Sequence, residues 1–128
     1  MRAITNGVHV ATWTHPSFAQ LNQASLPHWA HEPEVLTRAE QLVEDAVWSA
    51  HQQAKRDLLA LIKKEAGVDM LADVPLVGFA RRMAEYKRPD LLFADLDRLT
   101  TIARERPFQV VFGSWQVLRN RLHLSSRG

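Results

Sequence analysis

The sequence predicts an α/β fold in which two parallel strands are joined by one helix. Two short apolar runs, Val74–Ala80 and Phe108–Phe112, are typical of strands buried on both faces of a parallel sheet. Between them, the stretch from Pro89 to Glu105 has the three- and four-residue spacing of a helix. Its apolar stripe consists of Leu92, Leu96, Leu99 and Ala103. The order strand, helix, strand predicts a parallel pair with a right-handed crossover.

A long amphipathic helix is predicted before the first strand. Acidic residues stand at its start and Gly67 follows its end, which suits the helix dipole and a left-handed cap. Its apolar stripe consists of Val47, Ala50, Ala54, Leu58, Leu61 and Ile62, and it should run for about six turns. Upstream, Thr37–Glu40 fits a capping box that opens a helix. Residues 12–33 are predicted to form loops and one short helix near Ser17–Asn22.

The composition is that of a soluble globular segment, with 46% hydrophobic and 23% charged residues and a net charge of +2. The absence of cysteine excludes disulfides and thiolate metal sites. His28 and His31 match no zinc-site spacing, so no metal is expected. No apolar run is long enough to span a membrane, and interleaved charges argue against nucleic-acid binding. Met1–Ile4 lacks the apolar core of a signal peptide, so a cytoplasmic location is expected.

A basic loop follows the first predicted strand. Arg81, Arg82, Lys87 and Arg88 all lie between this strand and Pro89, which is expected to open the helix. Free amides at a helix start favour an anion, and a guanidinium and an ammonium can both contact one phosphate. The spacing therefore predicts an anion site, although a solvated basic turn has the same pattern.

Two stretches resemble a known family. GFARRMAEYKRPDLL, from Gly78 to Leu92, and ITNGVHVATW, from Ile4 to Trp13, are similar to motifs of the α-glucan phosphorylases, most closely the bacterial branch. The resemblance extends over roughly Arg2–Phe112. It implies a partial GT-B fold, in which two Rossmann-like domains face each other across a cleft. This chain would then be a fragment at the start of the C-terminal half.

The resemblance also implies a division of the chain into four segments. These are a sugar-site segment with irregular loops (1–33), a helical connector (34–73), the start of the C-terminal Rossmann-like domain (74–112) and a tail unlike the family (113–128).

The resemblance assigns roles to five residues. Arg82 and Lys87 match the pair that binds the substrate phosphate, and Arg81 stands where many members have lysine and keeps that charge. Asn6 and Tyr86 match residues that contact the sugar. From the residues alone, Asn6 could instead cap a turn with Gly7, since Asn-Gly is common in loops.

The activity implied by the resemblance is the retaining phosphorolysis of α-1,4-glucan ends by inorganic phosphate, which releases glucose 1-phosphate. Family members use pyridoxal phosphate through its phosphate group, and they anchor it on a lysine in a Gly-Met-Lys or Gly-Asn-Met-Lys segment. Neither segment occurs in this sequence. The chain alone is therefore expected to be inactive.

The residues after Phe112 depart from the family pattern. Members continue with a small Ala-Gly-Lys loop, whereas this chain continues from Gly113 with Ser-Trp-Gln-Val. A shift of one base within suitable codons for Ser114, Trp115 and Gln116 would read Ala-Gly-Lys. We therefore expect a frameshifted or truncated gene.

Two other classes of function remain open from the sequence. A nucleotide-sugar transferase of GT-B architecture uses a similar arginine and lysine pair against a diphosphate. A non-enzymatic module that binds an anion or a protein partner is the second alternative.

Overall fold

The computed structural model describes residues 7–81 and 85–113. The chain divides into two compact units, with the boundary between Asp69 and Met70. The first unit is helical in its described part, and the second combines a small parallel sheet with helical segments. The fold is therefore mixed α/β, as predicted. Among the described residues, no helix is both long and apolar enough to cross a membrane.

In residues 7–69, the described part of the first unit, there are three α-helices and one 3-10 segment. They are α1 (Val10–Trp13), α2 (Pro16–Ser25), the 3-10 segment Pro33–Gln41 and α3 (Glu44–Ala66). The short helix predicted near Ser17–Asn22 is confirmed as part of α2. The long helix is also confirmed: α3 has 23 residues and ends at Gly67, whose φ of 68° is the left-handed cap expected there.

Helices α2 and α3 pack together, and the buried residues of the described part of this unit lie on them or just after α2. Ala50 on α3 is buried, as are Leu26 and Trp29 after α2. Ser17 Oγ donates a hydrogen bond of 2.8 Å to the Ala50 carbonyl oxygen. At the start of α2, His15 Nδ1 accepts the Ser17 N–H at 3.2 Å and so caps the helix. Polar bonds and apolar burial thus fix the same pair of helices.

The capping box predicted at Thr37–Glu40 is wrong. Thr37 lies inside the 3-10 segment, and its hydroxyl donates back to the Glu34 carbonyl oxygen at 2.8 Å. The hydroxyl therefore completes the turn that precedes it, a local bond that competes with capping. Helix α3 begins later, at Glu44, with Val43 as an N-cap residue that makes no side-chain bond.

The second unit is built on two parallel strands, β1 (Leu76–Ala80) and β2 (Gln109–Gly113), in the register Leu76 opposite Gln109. Parallel pairing of the two predicted strands is confirmed. β1 begins two residues later than predicted because Pro75 has no N–H to give to the ladder, although its carbonyl oxygen accepts the Gln109 N–H at 2.8 Å.

The helix between the strands starts later than predicted. Two 3-10 turns, Glu85–Lys87 and Leu91–Phe93, come first, and α4 spans Leu96–Glu105. The prediction of a helix start at Pro89 is therefore wrong. Asp95 leaves the helical region with φ −131° and ψ 87°, and its carboxylate accepts the Arg98 N–H at 2.9 Å. A strong N-cap residue thus sets the start of α4.

The strands are less covered than the sequence predicts. Val77 on β1 is 47% exposed and Phe112 on β2 is 37% exposed, so burial on both faces is wrong for the described sheet. Leu96, which was placed in the apolar stripe of the helix, is 59% exposed at the first position of α4. Leu92, Leu99 and Ala103 are half-buried.

Candidate functional site

The basic loop after β1 is attached to the sheet by three phenylalanines. Phe79 on β1 and Phe112 on β2 lie opposite each other in the ladder, with ring centroids 5.7 Å apart. Phe93, at the end of the second 3-10 turn, stacks on Phe112 with centroids 5.8 Å apart. Such ring pairs add to the stability gained from apolar burial. The chain is therefore held on both sides of the loop, at Phe79 and at Phe93.

Within the loop, two turns follow each other directly. The Arg88 N–H donates to the Glu85 carbonyl oxygen at 2.9 Å and closes the first turn. The Arg88 carbonyl oxygen accepts the Leu91 N–H at 3.1 Å and closes the next. Arg88 itself has a φ of 45°, in the left-handed region that residues other than glycine rarely occupy. The chain changes direction at Arg88, where the two turns meet.

Lys87 and Tyr86 lie next to each other at the first turn. The Lys87 ammonium lies 4.7 Å from the centre of the Tyr86 ring, within the range of a cation–π contact. Tyr86 is 68% exposed and Lys87 is half-buried. Lys87 is thus partly covered, and an exposed aromatic ring with a hydroxyl stands beside its charge.

The loop presents positive charge that the described residues do not neutralise. Over residues 7–81 and 85–113, no ion pair joins Arg81, Lys87 or Arg88 to a carboxylate. Cations without a partner are available to an incoming anion, because no existing pair has to be broken.

The N-terminus of α4 does not contribute to this site in the way the sequence predicts. The Leu91 and Phe93 N–H groups after Pro89 are not free for an anion, because they donate to the Arg88 and Asp90 carbonyl oxygens. The start of α4 carries the carboxylates of Asp95 and Asp97 instead. Attraction of an anion therefore depends on the side-chain charges of the loop.

The structure places three of the five predicted site residues in one loop. Arg81 follows β1 directly, and Tyr86 and Lys87 belong to the first 3-10 turn. Asn6 and Arg82 lie outside the described residues, as does the tail from Ser114 onward. The convergence of Arg82 and Lys87 on one anion therefore stays a prediction.

Sequence reasoning missed the positional roles of Arg88 and Phe93. The sequence indicates Arg88 only as one of four cations in the basic loop, and it assigns no role to Phe93. No local signal predicts the left-handed φ of Arg88, because the proline that follows it favours extended backbone.

The lysines of this chain do not fit the covalent anchor of pyridoxal phosphate. Lys55, Lys63 and Lys64 lie on α3, and Lys63 pairs with Asp69 at 2.7 Å. Lys87 lies in the loop and follows Tyr86, so its surroundings differ from the Met-Lys pattern of the family. No step of the chemistry is therefore assigned to this cofactor here. The described residues also contain no group of histidine and carboxylate side chains that could hold a metal ion.

Several curated proteins are similar to this chain over most of its length. The maltodextrin phosphorylase of Thermococcus litoralis is 35% identical over 88% of this chain and 16% of its own length. The glycogen phosphorylase of Aquifex aeolicus is 33% identical over 85% of this chain and 19% of its own length. The glycogen phosphorylase of Mycobacterium tuberculosis is 30% identical, with 85% and 15% covered. No family model and no solved structure matches the chain.

These curated relatives are all phosphorylases. The chain is homologous to one segment of the glycogen and maltodextrin phosphorylases, which confirms the α-glucan phosphorylase family suggested by the two motifs. It spans less than a fifth of the length of these curated relatives, as the covered shares of 16%, 19% and 15% show.

Proposed function

We propose that this chain supplies the phosphate-binding part of a retaining α-1,4-glucan phosphorylase. The observation that carries the proposal is its 30–35% identity to curated maltodextrin and glycogen phosphorylases over 85–88% of the chain. The basic loop supports it, because the loop contains residues matched to the phosphate site, and its described cations make no ion pair with a described carboxylate. In the same proposal, residues 74–112 begin the C-terminal Rossmann-like domain of a GT-B enzyme.

In the proposed reaction, the glycosidic bond between C1 and O4 breaks and an oxygen of inorganic phosphate bonds to C1. A proton passes from the phosphate to O4, so the products are glucose 1-phosphate and a glucan shortened by one sugar. Lys87 and Arg82 would hold the phosphate oxygens, and Arg81 would add a supporting charge. The Tyr86 hydroxyl and the Asn6 amide would bind sugar hydroxyls, since both can donate and accept hydrogen bonds.

Lys87 is able to leave the Tyr86 ring for a phosphate. A cation at an exposed ring gains about 0.5–1 kcal/mol. A solvent-accessible ammonium–phosphate pair contributes a similar net amount, up to about 1 kcal/mol, and a charge-assisted hydrogen bond to a phosphate oxygen adds to it. Phosphate can therefore compete with the ring for the ammonium.

Pyridoxal phosphate, which the family resemblance implies, would be anchored by a lysine outside these 128 residues. When bound, it would supply a second phosphate group beside the substrate phosphate. The proposal for this chain concerns the substrate phosphate and the sugar alone.

Titration of the chain with inorganic phosphate, followed by NMR, tests the proposal. Phosphate should shift the signals of Tyr86 and Lys87, and Lys87→Ala should weaken the apparent affinity about tenfold, or about 1.4 kcal/mol. Lys64→Ala is the matched control, because Lys64 is an exposed lysine in the last turn of α3. An equal loss of affinity in both variants would show that phosphate binding depends only on the net charge of the chain, and the proposal would be wrong.

A further inference from the structure

Arg88 occupies a backbone conformation that its residue type disfavours. Its φ is 45°, and a residue with a Cβ is disfavoured there relative to the right-handed region. Pro89 follows it and restricts its backbone further. Strained residues of this kind persist where the surrounding structure fixes them, and they concentrate at binding sites.

The surrounding bonds of Arg88 hold it from both sides. Its N–H closes the turn onto the Glu85 carbonyl oxygen at 2.9 Å, and its carbonyl oxygen closes the turn from the Leu91 N–H at 3.1 Å. Just beyond, Phe93 stacks on Phe112 of β2. The change of direction at Arg88 is therefore fixed relative to the sheet.

This change of direction comes immediately after Lys87. Lys87, the residue before Arg88, is half-buried and has its ammonium 4.7 Å from the Tyr86 ring centre. If Arg88 moved to the right-handed or extended region, its carbonyl oxygen would lose the Leu91 N–H and the chain would run differently from Lys87 to Phe93. The position of Lys87 relative to the sheet would then change, because Phe93 is held on Phe112 of β2.

We propose that Arg88 is a positioning residue, whose left-handed backbone holds Lys87 at the phosphate site. This inference rests on the proposed function, since it assigns Lys87 to phosphate. Arg88 acts through its backbone conformation, and its guanidinium is not a phosphate contact.

Three substitutions separate the backbone of Arg88 from its side-chain charge. Arg88→Ala removes the guanidinium but keeps one Cβ, so the left-handed conformation costs about the same as in the wild type. Arg88→Gly relieves the strain. Arg88→Val disfavours the conformation strongly, because a β-branched residue at positive φ is an outlier.

The test is the apparent affinity of the 128-residue chain for inorganic phosphate in these variants, measured by the NMR titration. Arg88→Ala is the reference, because it loses the loop charge but not the backbone preference; Arg88→Gly should stay within about twofold of Arg88→Ala, and Arg88→Val should lose about a further tenfold. Arg88→Val should also shift the Lys87 signals of the free chain, whereas Arg88→Ala should leave them in place. A loss in Arg88→Ala as large as in Arg88→Val would show a direct guanidinium contact and overturn the inference.

A double-mutant cycle completes the test. If Arg88 acts through Lys87, Arg88→Val should cause no greater loss than Arg88→Ala in a Lys87→Ala background. Additive losses would overturn the inference, whereas a Lys87→Ala variant with unchanged affinity would overturn the proposed function itself. Unchanged signals of Val77 and Val110 in the strands report that each variant retains its fold, and Arg88→Gly provides the decisive comparison if Arg88→Val unfolds.

Discussion

Gln109 ties the entrance of β1 to the start of β2 with its side chain. Its amide oxygen accepts the Leu71 N–H at 2.7 Å, and its amide nitrogen donates to the Leu71 carbonyl oxygen at 2.8 Å. The same nitrogen lies 3.4 Å from the Val74 carbonyl oxygen. An amide side chain thereby pairs with both backbone groups of one residue, as a neighbouring strand would. This pairing helps to fix the register of the two strands.

Replacing Gln109 by Leu should lower the free energy of unfolding of the second unit by about 1–2 kcal/mol, since net hydrogen bonds contribute about 1 kcal/mol each. Hydrogen exchange of the Leu71 amide measures the local effect directly, and faster exchange is expected. Unaltered protection of the Leu71 amide from exchange would contradict the assigned hydrogen bonds between Gln109 and Leu71.

Gln109→Glu is the informative conservative variant. Near neutral pH its carboxylate still accepts the Leu71 N–H but has no proton for the Leu71 carbonyl oxygen. Below the ordinary glutamic acid pKa of about 4.3, the protonated group can donate again. Protection of the Leu71 amide, corrected for intrinsic exchange, should therefore approach that of the wild type as the pH falls. Protection that falls further with acid would argue against this bond.

For single residues, the chemistry and charge of a side chain could be predicted from the sequence, but its contacts in the folded chain could not. The chemistry of Lys87 and Tyr86 follows from their side chains and their motif. The bond between Gln109 and Leu71 joins residues 38 positions apart, so it depends on strand pairing that the local sequence does not contain. The left-handed φ of Arg88 depends likewise on turns fixed to the sheet by Phe93.

Helix boundaries depend on individual cap residues. Gly67 ends α3 with a φ of 68°, and Asp95 opens α4 by accepting the Arg98 N–H. The sequence predicted the first boundary correctly because glycine is the common left-handed cap. It missed the second because Pro89 and Asp95 are both good residues near a helix start, and the turn at Leu91–Phe93 favours the later one.

Asp95→Ala should destabilise α4 by about 1 kcal/mol, because it removes the acceptor for the Arg98 N–H. Asp95→Asn is the matched control and should stay close to the wild type, since asparagine caps helices about as well as aspartate. Thermal unfolding followed by circular dichroism compares the two. Equal destabilisation by Ala and Asn would point to the charge of Asp95 instead of its capping bond.

Gly67→Ala should destabilise α3 by about 1 kcal/mol through backbone strain at positive φ. An added Cβ would meet no other atom within 4 Å, so steric contact is not the cause. Gly67→Asn should cost less, because asparagine tolerates this conformation better. Denaturant unfolding ranks the stabilities of the wild type, Gly67→Asn and Gly67→Ala. An alanine variant as stable as the wild type would contradict the assigned strain.

At the scale of the whole molecule, we expect the proposed site to be one side of a larger catalytic arrangement. Catalysis of phosphorolysis requires glucan, phosphate and their binding groups to be held at contact distance, an arrangement with effective molarities of about 10⁵ M or more. The chain matches only 15–19% of the length of its phosphorylase relatives. Most of the groups in those relatives therefore have no counterpart in these 128 residues.

The purified chain is accordingly expected to release no glucose 1-phosphate from maltodextrin, even with pyridoxal phosphate and inorganic phosphate added. Mass spectrometry should confirm the 128 residues, and a reaction without protein is the control. Sustained turnover above that control would show that these residues alone suffice, and the proposal of a partial site would be wrong.

The central claim is that the basic loop of this chain binds the phosphate used by an α-glucan phosphorylase. It is tested most directly by transplanting residues 4–112 into the matching segment of the maltodextrin phosphorylase of Thermococcus litoralis and measuring KM for phosphate and for maltodextrin. The chimera should release glucose 1-phosphate, and Lys87→Ala in it should raise KM for phosphate about tenfold or more while KM for maltodextrin changes little. A folded chimera whose phosphate KM is unaffected by Lys87→Ala would contradict the claim.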